Sequence, residues 1–291
     1  MFRFGVSQFT SMPWGFERDV EEYARLGVEA IEICEDKLDG ERYVEQLALA
    51  RERGLEISSA QPSVRTLFPS RTQPEPKEPG DRALRFKRTV ERFGDFAEGV
   101  PFVFNTGPPR GGDIQEVLEA AVREGRALAE HAGERGASVA LEPLSPALMN
   151  VESAIWTLDQ AMRVVEAVDL PNFGLCLDVW NVWQTPDVEA QILACGDRIL
   201  VAHFSDWRTP RSFEDRHVVG RGEIPLAALI DAIHKCGHRG VYTVEIFSRD
   251  VPNSLWGREK LAAVIEESRD ELKRTYKRVG EPPNGPLRAP R

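Results

Sequence analysis

The sequence lacks the segments that would put it in a membrane or on a nucleic acid. Nowhere in its 291 residues is there an apolar run of about 18, the length a helix needs to cross a bilayer. Positive charge is in the minority: 37 lysines and arginines stand against 47 aspartates and glutamates, for a net charge of −10. A chain of that sign has no general attraction for phosphate backbones or anionic lipid surfaces. Cysteine is scarce. Cys34, Cys176, Cys195 and Cys236 form no CxxC pair, which argues against a disulfide scaffold. Cys34 and Cys176 fall in apolar runs, where buried free thiols in a reducing compartment are expected. No charged leader precedes the first apolar run, Phe2-Arg-Phe-Gly-Val6, so a soluble, cytoplasmic protein is expected. The Gly-x-Gly-x-x-Gly turn of a doubly wound dinucleotide fold is also missing: Ser7-Gln-Phe-Thr-Ser-Met12 stands in its place.

What is there is alternation. Short apolar runs of strand length are followed by stretches with helical periodicity. Strands are expected at 3–7, 30–33, 56–60, 102–105, 138–142, 173–178, 199–204 and 242–246. Helices are expected at 16–26, 40–53, 82–98, 114–135, 151–166, 187–195, 225–236 and 257–277. Such strict alternation predicts an α/β fold, a single-domain (β/α)8 TIM barrel over residues 1–280, with a frayed tail at 281–291. The stretch Arg65–Asp81, rich in proline and charge and without periodicity, reads as a long loop over the strand ends, either a lid or a disordered segment.

Four consecutive strands end in a side chain able to hold a metal. Val139-Ala-Leu-Glu142, Gly174-Leu-Cys-Leu-Asp178, Ile199-Leu-Val-Ala-His203 and Val241-Tyr-Thr-Val-Glu245 deliver Glu, Asp, His and Glu. Any one of them alone is more often an anchor for the following loop. Together, at the C-terminal ends of neighbouring strands, they converge on the mouth where barrel active sites lie. Three carboxylates at close quarters raise one another's pKa, and a divalent cation resolves the conflict. Oxygen-rich ligation with one nitrogen suits Mn²⁺, Mg²⁺, Co²⁺ or Zn²⁺ and leaves positions for substrate oxygens.

With their neighbours in Leu141-Glu-Pro-Leu144, Leu177-Asp-Val-Trp180, His203-Phe-Ser-Asp206 and Val244-Glu-Ile-Phe-Ser248, these residues resemble the xylose-isomerase-like barrel superfamily. The resemblance is greatest to its sugar phosphate isomerase/epimerase group and covers nearly the whole chain. It implies one divalent ion, Mn²⁺ foremost, held by Glu142, Asp178, His203 and Glu245, with Glu142 and Glu245 also forming the acid/base pair around a bound sugar. Asp215 to Ile224 resembles the group's Arg-x-x-Pro-Gly-x-Gly loop without its proline, which would set Arg216 or His217 on a substrate oxygen. Many members carry Asp-x-x-His where this chain has Asp178-Val-Trp-Asn181. Asn181 can hydrogen-bond a hydroxyl but cannot take a proton. Trp14 and Trp256 are expected either to wall a sugar pocket or to pack between loops. Glu32 is expected to meet a sugar hydroxyl or to be a satisfied core acid, and Asp206 to cap its loop or orient the imidazole.

The expected activity is isomerisation or epimerisation of a small keto-sugar or polyol by proton removal beside a metal-chelated carbonyl. Dehydration of such a substrate is the alternative, since it starts with the same step. An apurinic-site endonuclease would need further histidines where Ser59, Gln61, Asn105 and Asn181 stand, and a non-catalytic carbohydrate-binding barrel would not need two glutamates about a metal. The expected partner is a small molecule, with no nucleic acid and no membrane. A homodimer or homotetramer is expected by analogy with barrels of this type.

Overall fold

The fold is read from a computed structural model that describes residues 1–209, 214–257 and 259–280. Among these, eight strands pair in parallel and in chain order: β1 Phe4–Ser7, β2 Ala30–Cys34, β3 Glu56–Gln61, β4 Pro101–Phe104, β5 Ser138–Leu141, β6 Phe173–Asp178, β7 Ile199–Phe204 and β8 Tyr242–Val244. Pairing of β8 with β1 closes the ring. The helices are α1 Phe16–Arg25, α2 Tyr43–Glu52, α3 Pro79–Phe93, α4 Ile114–Gly133, α5 Leu158–Val168, the single turn α6 Val179–Val182, α7 Val188–Cys195, α8 Leu226–Lys235 and α9 Leu261–Gly280. This is the (β/α)8 barrel expected from the alternation. No described helix is long and apolar enough to cross a membrane. The tail at 281–291 lies outside the described residues.

Two apolar layers hold the barrel. The larger lies between strands and helices, where Phe102 of β4 meets Phe86 and Phe93 of α3 with ring centroids 6.4 and 5.0 Å away. Truncating such a ring to alanine costs about 3–5 kcal/mol. The smaller fills the inside of the ring with Val103, Ala140, Cys176 and Val201, one from each of β4 to β7. Side chains alternate along a strand. Two residues further on, the same inward direction is taken by Asn105, Glu142, Asp178 and His203. The polar ring of the site is therefore the next layer of the barrel interior.

Several elements depart from the sequence reading. Helix α5 starts at Leu158 rather than 151, because Thr157 and Gln160 form a reciprocal capping box there. The residues before it cross the mouth, where Ser153 Oγ and Thr106 Oγ1 share a hydrogen bond of 3.2 Å. Helix α3 starts three residues earlier than the expected Arg82, on Pro79. Turn α6 was not anticipated: Asp178 caps it by accepting from the Trp180 amide at 3.0 Å. The long proline-rich connection, 62–78, is an ordered wall. Gln73 Oε1 accepts from the amides of Arg65 and Thr66, at 3.1 and 3.2 Å. Buried Arg82 donates to the Thr66 carbonyl at 2.6 Å and the Pro76 carbonyl at 2.7 Å. Gly107 just after β4 has φ +76°, and a Cβ there would lie 2.3 Å from the Phe68 carbonyl oxygen, so only glycine lets this wall approach the strand.

Candidate functional site

Glu142 follows β5, Asp178 ends β6, His203 lies one residue from the end of β7, and Glu245 follows β8. Glu142, Asp178 and Glu245 offer oxygens all within 4.8 Å of one another, and all three residues are buried. His203 joins them, grouped at the same range with Glu142 and Cys176 and with Glu32 and Glu245. Its Nε2 is 2.8 Å from Glu32 Oε2, so that nitrogen donates. Its Nδ1 faces Cys176 Sγ at 3.5 Å and Glu245 Oε2 at 3.7 Å. Asn105 donates to Glu142 Oε2 at 3.2 Å, and Asn181 donates to Glu142 Oε1 at 3.2 Å and to Asp178 Oδ2 at 2.9 Å. The four expected ligands lie in overlapping groups, none of which holds all four. Above them opens a cavity of about 420 Å³, with Glu142, Glu245, Arg216, Trp180, Phe247 and Trp256 in its lining.

Arg216 reaches into this cluster. Its Nη1 donates to Asp178 Oδ2 at 2.8 Å and Glu245 Oε2 at 3.1 Å. Its guanidinium is held between the Trp180 and Phe247 rings, 4.8 and 4.7 Å from their centroids. The loop that carries it is organised by Asp206, which accepts from the amides of Gly220, Ile224 and Trp207 at 2.9, 3.0 and 2.8 Å. Asp206 is thus the loop cap of the two roles considered for it. Gly222 lies so near Asp206 that a Cβ would fall 2.4 Å from Oδ1, which accounts for the last glycine of the Arg-x-x-x-Gly-x-Gly pattern.

Four expected substrate contacts are placed elsewhere, the first being Asn181, which is outside the cavity lining with its amide bonded to Glu142 and Asp178. Glu32 is fully buried beneath His203, held by the Ser59 hydroxyl at 2.7 Å as well as by the imidazole. It is a partner of the imidazole and not part of the cavity lining. His217 points off the lining, and its Nδ1 accepts from the Val218 amide at 2.9 Å. Trp14 is 3% exposed, lies under Arg18 with the guanidinium 4.9 Å from its ring, and belongs to the core. Trp256 does line the cavity, its Nε1 donating to the Ile246 carbonyl at 3.1 Å. Asn105 and Cys176 were not singled out from sequence as members of the site. The available signal was their register, Asn105 one place beyond β4 and Cys176 two before Asp178.

Charge decides what this cluster can hold. Burial, then the carboxylates of Glu245 and Asp178, push Glu142 up to about 8. Burial also raises Glu245, against the pull of His203 and Arg216. Burial would lower His203, but Cys176, Glu32 and Glu245 outweigh it and hold the imidazole well above the ordinary histidine range. Glu32 goes the other way: burial opposes its ionisation, and His203, Ser7 and Ser59 overcome that and lower it. In the fully ionised cluster four carboxylates, those of Glu32, Glu142, Asp178 and Glu245, face two cations, Arg216 and protonated His203, and without a further cation the raised Glu142 keeps its proton. The shortfall is two charges. With His203 Nε2 committed to Glu32, Nδ1 is the nitrogen turned to the carboxylates, and once an ion displaced its proton the imidazole would ligate with an acid fixing it from behind. The residues fit one divalent ion.

A match to the xylose isomerase-like TIM barrel family extends over residues 20–275. The chain belongs to that family. An inosose isomerase from Bacillus subtilis (strain 168) is 29% identical over 138 residues, 46% of this chain and 48% of that protein. The match thus spans about half the length of that curated relative. Among solved structures, protein SMc04130 from Sinorhizobium meliloti 1021 superposes with a TM-score of 0.79 at 27% identity, covering 92% of this chain and 97% of that one. The IOLI protein, described with a bound zinc atom, has the same fold, with a TM-score of 0.79 at 20% identity over 96% of this chain and 99% of that one.

Proposed function

We propose that this family member is a divalent-metal-dependent isomerase or epimerase of a small keto-sugar or related polyol, with Glu142 and Glu245 as its acid/base pair. The observation that carries the reading is the two-charge shortfall among buried carboxylates at the floor of a cavity large enough for a sugar. Glu142, Asp178, His203 and Glu245 would hold the ion, with Mn²⁺ proposed first because the donors are mainly carboxylates, and zinc as the alternative. When bound, such an ion polarises substrate oxygens and stabilises the charge that develops on them. Glu142 and Glu245 both line the cavity, so a seated substrate meets two carboxyl groups, one to take the proton beside its carbonyl and one to return it. Asn105 and Asn181 hold the Glu142 carboxyl by both oxygens and fix its direction. Trp180, Phe247 and Trp256 give the cavity apolar walls that limit water. Similarity to the inosose isomerase supports cyclic polyol ketones among the compounds to test.

The test is elemental analysis of the purified protein, wild type beside Asp178→Asn and Glu142→Gln, followed by exchange of the α-proton of keto-sugars and inososes with D₂O. About one ion per chain in the wild type is expected from the donor count, with loss in Asp178→Asn. The loaded wild type should exchange, and Glu142→Gln should not. A wild type that holds no ion, even after dialysis against Mn²⁺, sinks the reading. Dehydration stays the second reading because Asn181, bridging Glu142 and Asp178, adds no proton carrier of its own. Formation of an ultraviolet-absorbing enone, without isotope exchange into recovered substrate, would select it.

A further inference from the structure

The cavity lining carries six acids and three arginines, and two of the arginines lie apart from the centre. Arg65, from the connection between β3 and α3, and Arg249, from the connection after β8, both line it. The Arg65 guanidinium lies 5.2 Å from the Phe9 ring centroid, and that of Arg249 lies 5.7 Å from the Trp256 ring centroid. Phe9 and Trp256 belong to the same lining. A guanidinium laid on an aromatic face is held flat, with its N–H edges left for an acceptor.

Nearby cations are already committed. Arg216 is bound to Asp178 and Glu245, and Arg71 reaches Glu152 and Glu214. Glu75 of the lining is paired with Lys77. Among the described residues neither Arg65 nor Arg249 has a carboxylate within 4.0 Å. The side-chain hydrogen bond that Arg65 does make is a long one of 3.3 Å to the Pro62 carbonyl. Asp36 shares the lining but is beyond ion-pair distance from both. The rings tie Arg65 to the centre: Phe9 and Phe247 are 5.1 Å apart, and Arg216 is 4.7 Å from Phe247. Three ring contacts separate Arg65 from the guanidinium that touches the ligand carboxylates.

We infer that Arg65 and Arg249 form an anion-binding subsite, and that the substrate is a keto-sugar or polyol derivative bearing a phosphate or carboxylate away from its carbonyl. The inference rests on the proposed isomerase reading for the word substrate, but the subsite stands on its own geometry. A neutral sugar asks for no guanidinium beyond Arg216. An oxyanion is the group that the planar, forked donors of arginine match best.

The test titrates the full chain with inorganic phosphate and, separately, with acetate, at constant ionic strength kept with chloride, following thermal stability. Saturable stabilisation by one or both anions is expected, with affinity weakened roughly tenfold or more in Arg65→Met and in Arg249→Met. Arg65→Lys, which keeps the charge and loses the fork, should fall between. A response to phosphate alone assigns a phosphorylated substrate, a response to acetate alone a carboxylated one, and a response to both supports an oxyanion of either kind. A wild type that responds to neither anion overturns the subsite. So do Met variants that are folded by circular dichroism and respond as the wild type does, because the anion then sits on the metal or elsewhere. Metal content, measured in parallel, fails separately if the isomerase reading is wrong.

Discussion

Glu32 stands 171 residues before His203 and 2.8 Å from its Nε2. The sequence shows an acid in the middle of the apolar run Ala30-Ile-Glu-Ile-Cys34, and from the run alone a sugar contact and a satisfied core acid read equally well. Burial beneath the imidazole selects the second and gives it a task, since Glu32 decides which nitrogen of His203 carries the proton. Glu32→Gln keeps the size and removes the charge. Metal affinity should drop by roughly 10- to 100-fold, measured by competition with a chromophoric chelator. Affinity equal to wild type would reduce Glu32 to filling. Asn105 and Cys176 could not be separated from ordinary barrel residues by type, because an amide and a thiol become part of the centre only through register with Glu142 and His203.

Among the elements, strands were the most legible. β6 and β7 match the expected spans residue for residue, since a buried parallel strand is a continuous apolar run with a sharp polar end. The helix after β5 starts seven residues later than its apolar pattern predicts, because Ala154 and Ile155 are buried in the core ahead of it rather than on a helix face. The connection from β3 to α3 carried no pattern to read. Its order comes from contacts between positions far apart, chiefly the buried guanidinium of Arg82, which burial lowers to about 10 and which is bonded to the Thr66 and Pro76 carbonyls. Arg82→Met leaves those carbonyls without their donor. A loss of about 3 kcal/mol is expected, read as a shift in urea midpoint at unchanged slope. The same variant should loosen the Thr66–Asn105 bridge that backs Glu142.

On the scale of the whole molecule, the proposed metal site would make stability depend on the ion and on pH together. Without the ion, Glu142 holds its proton up to about 8, against an ordinary value of 4.5. Between those limits the folded chain binds a proton that the unfolded chain has released, so stability is fully present below the lower limit and lost as pH rises through the upper one. Melting temperature after chelator treatment should fall across that window. In the loaded protein the slope should flatten, because the ion supplies the missing charge. Equal slopes with and without chelator would mean that no ion answers the shortfall.

The distribution of the centre along the chain has a consequence for biosynthesis. Glu32, Ser59 and Glu142 come from the first half, Asp178 and His203 from the second, and Glu245 follows the strand that closes the ring against β1. A growing chain that has left the ribosome as far as β7 has the imidazole and its acid but lacks the last carboxylate and the closed wall. If the proposed metal reading holds, capture of the ion would wait for the final strand, and a polypeptide cut short before Tyr242 would emerge without a complete centre.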